Sequence, residues 1–126
     1  MGKLAFDPVD AVITVADAAT QTPDVTIQLV DGAGNDLGES RAVFAYLAKD
    51  SAGATICADT TDTTEFVIGT DGLFVESVTD IAGYLVSEDD GDIDVTITIV
   101  DTKQAYLVLV IPDGRLVISD QMSYSS

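Results

Sequence analysis

At 126 residues the chain has the length of one domain able to bury its own core, and 22 acidic against 5 basic side chains leave it at −17 without a histidine. That balance excludes the clustered Lys and Arg that neutralise nucleic-acid phosphates or anionic lipid headgroups. The missing imidazole excludes Ser-His-Asp, Cys-His and His-ligated metal sites.

A hydrophobic fraction of 47% argues for a folded chain despite the charge, and its weight lies in Val, Ile, Leu and Ala, a β-forming balance. The first six residues, MGKLAF, lack the apolar core of a signal sequence, and Phe6 stands where a myristoylation motif takes Ser or Thr. The longest apolar run, residues 105–111, is too short to span a bilayer. No export signal and no membrane insertion are expected.

In chain order, an arm over residues 1–10, broken by Pro8, leads into a first strand over 11–15. Val25, Ile27 and Leu29 alternate with Thr26 and Gln28 in a second strand, closed by the turn residues Asp31, Gly32, Gly34, Asn35 and Asp36. A third strand covers 41–49. There Phe44 and Tyr46 alternate with Val43, Ala45 and Leu47, so both faces are apolar, as burial between two sheets or a contact surface would require. A short edge strand is expected at 55–58 and an exposed polar loop at 59–64.

Residues 66–68 and 73–75 flank Gly69, Thr70, Asp71 and Gly72, the pattern of a tight hairpin. A strand at 84–86 follows, then the clearest of all, in which Ile93, Val95, Ile97 and Ile99 alternate with Asp94, Thr96 and Thr98. Residues 106–111 are apolar on both faces and read as a central strand. Pro112, Asp113, Gly114 and Arg115 turn it into a last strand at 116–118, and the chain should fray from Met122 onward, with 123–126 as the tail.

Seven to nine short strands, evenly spaced turns and no helical periodicity predict an all-β fold, an antiparallel β-sandwich of the immunoglobulin-like kind, as one domain over 11–122. No catalytic residue is expected. The many carboxylates make any single pair uninformative, and an aromatic content of 6% offers little platform for a sugar. Cys57 reads as a small packed hydrophobe, since no histidine can activate it. Asp90, Asp92 and Asp94 have the Asp-x-Asp-x-Asp spacing that opens an EF-hand calcium loop. Val95, however, occupies the position that such a loop gives to glycine, and a strand follows where a helix should, so a solvated acidic face accounts for them and no metal or other cofactor is assigned. The Asp-Gly pairs at 31–32, 71–72, 90–91 and 113–114 are accounted for as turns.

The segment VTIQLVDGAGNDL (25–37) resembles the opening strands of bacterial and phage immunoglobulin-like domains. With AYL (45–47), IGTDGL (68–73), LVSEDDGDIDVTIT (85–98) and LVLVIPDGRLV (107–117), it resembles the small accessory virion proteins of tailed bacteriophages. That resemblance implies a capsid decoration or cement protein, made in the host cytoplasm and placed on the virion exterior. Its implied partner is the outer surface of the major capsid protein, and a homo-oligomer, such as a trimer, is common in that class. The alternative is a carbohydrate- or receptor-binding module of a phage tail or bacterial surface protein, against which the absence of Trp counts.

Overall fold

The computed structural model describes residues 9–58, 60–111 and 114–124. Among these there is no helix, and ten antiparallel strands form two sheets. The strands are β1 (Val9–Ala16), β2 (Asp24–Asp31), β3 (Ala42–Ala48), β4 (Thr63–Ile68), β5 (Leu73–Val78), β6 (Ala82–Val86), β7 (Asp92–Ile99), β8 (Gln104–Val110), β9 (Leu116–Ile118) and β10 (Met122–Ser123). One sheet is four-stranded, in the order β1-β2-β7-β4. The other is six-stranded, in the order β10-β8-β3-β6-β5, with β9 also paired to β8. The fold is an immunoglobulin-like β-sandwich, as the strand patterning requires.

The period of two decides which side chains meet between the sheets. β7 buries Ile93, Val95, Ile97 and Ile99 completely, and β2 sends in Val25, Ile27 and Leu29. Val43, Ala45 and Leu47 of β3 and Ala105, Leu107 and Leu109 of β8 face them from the second sheet. Cys57 is packed into the same core. Burial pushes its thiol up to about 12, helped by Asp62 and opposed by Lys49, so it stays an unreactive thiol at neutral pH.

Several boundaries differ from the sequence expectation. β4 and β5 are not a hairpin, because β4 pairs with β7 in one sheet and β5 with β6 in the other. The turn between them is tied to β7. Asp94 accepts from the Gly69 amide through its carbonyl and from the Thr70 amide and hydroxyl through Oδ2, while its own amide donates to the Asp71 carbonyl. Held there, the chain crosses to the second sheet at Gly72, whose φ of +97° a Cβ could not adopt without meeting the Val86 carbonyl.

The polar run at 60–64 is not an exposed loop. Asp62 and Thr63 are buried and β4 begins at Thr63, while Asp59 lies outside the described residues. Asp62 earns its place by accepting the Ala58 amide at 2.7 Å, a local closure that polarity alone does not reveal. Residues 55–58 contribute one bridge, Ala48 to Ile56, instead of a strand. At the start, Val9 and Asp10 already pair with Asp31 and Val30, so the arm yields two residues to β1 and its remainder, 1–8, lies outside the described residues. At the end, Met122 and Ser123 pair with Ala105 and Gln104 instead of fraying, because the Met122 side chain is fully buried. Residues 125 and 126, the rest of that tail, lie outside the described residues.

Candidate interaction surface

The two outer faces of the sandwich have opposite chemistry. Strands of the four-stranded sheet carry Asp10, Asp24, Asp31, Glu65, Asp92 and Asp94, with Thr14, Thr26, Thr96 and Thr98 between them, and no cation. Strands of the six-stranded sheet carry a single charge, Glu76. The four described cations all flank that second sheet: Arg41 and Lys49 at the ends of β3, Lys103 before β8 and Arg115 before β9.

The apolar face is built by register. Val75 of β5 lies opposite Tyr84 of β6, which lies opposite Phe44 of β3, then Val110 of β8 and Leu116 of β9. One row of five apolar side chains therefore crosses the sheet. A second row joins Leu73, Val86 and Ala42, and a third joins Ala82, Tyr46, Val108 and Ile118. Leu73 is 66% exposed, Val75 60%, Tyr84 51% and Leu116 44%. Single exposed hydrophobes are ordinary, but a contiguous patch of them marks a contact surface.

Aromatic packing stiffens its centre. Phe44 and Tyr84 meet edge to face with centroids 5.3 Å apart, and Tyr46 lies 6.4 Å from Phe44. The Tyr46 hydroxyl donates to the Gly53 carbonyl at 2.6 Å, drawing the turn after β3 over Val108. Desolvation first, and Asp50 second, raise the Tyr46 pKa, so the phenol keeps its proton and this bond at neutral pH. Asp50 Oδ1 accepts the Ala54 amide and closes the same turn.

On the acidic face the calcium candidates serve the backbone. Asp94 holds the Thr70 turn, and Asp90 Oδ1 accepts the Asp92 amide at 3.2 Å. The Asp92 pKa is raised, by burial first, then by its hydrogen bond and proximity to Asp71 and by the charges of Asp90 and Asp94. Among the described residues no three acidic, Cys or His side chains converge as metal ligands. Asp31 accepts the Ala33 and Asn35 amides, which lowers its pKa and accounts for the Asp-Gly turn there.

No family model matches the chain, and no curated protein matches it. A solved structure does resemble it in fold. A cohesin module from a family 33 glycoside hydrolase of Clostridium perfringens superposes with a TM-score of 0.51 over 95% of this chain and 98% of that one, at 12% identity. The likeness concerns the β-sandwich itself. Sequence reasoning found Phe44 and Tyr46 as candidates for either core or contact, and the structure puts both on the outer face. Tyr84, Val75 and Leu73 were missed as a surface because their alignment arises from pairing between distant strands.

Proposed function

We propose that this chain is a non-catalytic docking module that seats the outer face of its six-stranded sheet on another protein. We propose further that the partner is the exterior of a bacteriophage major capsid protein. The observation that carries the reading is the five-residue apolar row from Val75 to Leu116. It crosses four interstrand gaps, roughly 19 Å, the breadth of a modest protein–protein contact. The opposite sheet, whose strands carry six carboxylates and no cation, suits a surface left in solvent among many neighbouring copies, where like charge discourages aggregation.

A carbohydrate-binding role fits the same face less well. A sugar stacks on a flat ring, whereas Phe44 and Tyr84 stand at 69° to each other. Their arrangement suits interdigitation with protein side chains.

Mass spectrometry of purified virions, with surface labelling of intact particles, tests the capsid assignment. The chain should be present and labelled. A Tyr84→Asp variant should fold normally and be lost from the particles. Absence of the native chain from virions, or its location inside the head, would sink the assignment, and full retention of the variant would sink the choice of face.

A further inference from the structure

A second surface lies on one flank of the sandwich. β4 ends the four-stranded sheet, β5 ends the six-stranded sheet, and among the described residues neither has a strand on its far side. Between them opens a cleft of about 370 Å³, lined by Phe66, Val67, Ile68, Leu73, Phe74 and Glu76. Its floor is the stacked ring pair Phe66 and Phe74, with centroids 4.6 Å apart and planes 24° off parallel. Phe66 is fully buried, whereas Val67 and Leu73 stand exposed on the lips.

An open edge strand is a template for another chain, and folded proteins blunt such edges with Lys, Pro, a bulge or an inward-pointing charge. β5, of sequence LFVESV, has neither Lys nor Pro. Its pairing with β6 is regular from Leu73 to Glu76 and slips only between Glu76 and Val78. The remaining guard is Glu76 itself, the one charged residue lining the cleft. Its Oε2 accepts the Asp80 amide at 2.8 Å. That leaves Oε1 as a further acceptor.

We infer that this edge accepts an extended segment of a partner protein that carries an apolar and a cationic side chain two residues apart, on one face, added as a further strand against Leu73, Phe74, Val75 and Glu76. An apolar side chain of the entering strand covers the Phe66–Phe74 pair, and a cationic one meets Glu76. Main-chain hydrogen bonds supply affinity, and the cleft and carboxylate supply selectivity. A second copy of this chain is the wrong occupant. It carries −17, and edge-to-edge pairing would bring another Glu76 to the same cleft. The inference rests on the β5 edge and on the cleft, not on the docking face proposed above, although Leu73 and Val75 border both.

The test titrates the isotope-labelled full chain with an end-capped heptapeptide, Thr-Val-Thr-Lys-Thr-Val-Thr, whose Val and Lys side chains share one face, following amide shifts and hydrogen exchange. Its Val–Glu counterpart serves as the comparison. Shifts and slowed exchange should centre on residues 73–76. Glu76→Gln should weaken binding about fivefold, and Glu76→Lys about tenfold or more with preference passing to the Val–Glu peptide. The inference is overturned by equal binding of both peptides to the native chain, by an unperturbed β5 at millimolar peptide, or by shifts spread over Asp24, Asp92 and Asp94. A Tyr84→Asp chain should bind the peptide unchanged; loss there would move the site to the outer face and overturn the edge assignment.

Discussion

Lys49 Nζ stands 3.4 Å from Oδ2 of Asp62, a carboxylate whose side chain is only 6% exposed and which also accepts the Ala58 amide. This pair pins the segment that enters β4 onto the end of β3. Removing the carboxylate takes the acceptor from the Ala58 amide and empties a buried position, whereas removing the half-exposed cation does neither. Asp62→Ala should therefore cost about 2 kcal/mol and Lys49→Ala about 1 kcal/mol or less, read from urea midpoints. Equal costs would mean that the ion pair, and not the amide, dominates.

Gly83 sits opposite both β3 and β5, and a Cβ there would strike the Val75 carbonyl and reach within 2.6 Å of Phe74 Cε1. Backbone on one side leaves little to yield. Gly83→Ala should cost about 1–3 kcal/mol and speed hydrogen exchange in β5 before any other strand. A neutral result would show that β5 shifts freely on its edge.

Cys57 should resist thiol reagents while the chain is folded. Its thiol, pushed up to about 12, has almost no thiolate even at pH 9, and the core covers it. Labelling should track the unfolded fraction in urea. Fast labelling at pH 9 without urea would contradict this.

The acidic face should titrate against the fold. Since the Asp92 pKa is raised above 3.8 in the folded state, the associated stability is complete below 3.8 and is lost as pH rises through the folded value. Asp92→Asn should gain about 0.5 kcal/mol at pH 7, with the gain gone at pH 3. A gain that persists at pH 3 would point to packing instead of charge.

How much of this was legible depended on where each signal lived. β7 was plain because Ile93, Val95, Ile97 and Ile99 state their period within one strand. The β8–β9 hairpin was equally local, with Val110 opposite Leu116 across a short turn. The route from β4 to β5 was not, because a glycine-rich turn serves a hairpin and a sheet crossing alike. What separates them here is the Asp94 carboxylate, more than twenty residues away in the chain. Likewise Met122 looked like a loose end until β8 supplied the surface that buries it. Phe44 and Tyr46 declared an apolar outer side, but the row they belong to exists only once β5, β6, β8 and β9 lie in register.

The strands divide charge unequally, with six carboxylates on the four-stranded sheet against Glu76 alone on the other. The described cations rim that second sheet. A uniformly basic surface would therefore capture the molecule upside down, acidic sheet first, with Tyr84 and its row turned outward. On an anion-exchange matrix or a polyamine-coated plate the chain should bind by that sheet in preference to the apolar face. A biological partner that wants the apolar face must then confine its positive charge to a periphery around a neutral centre, which excludes plain polycations from the search for it.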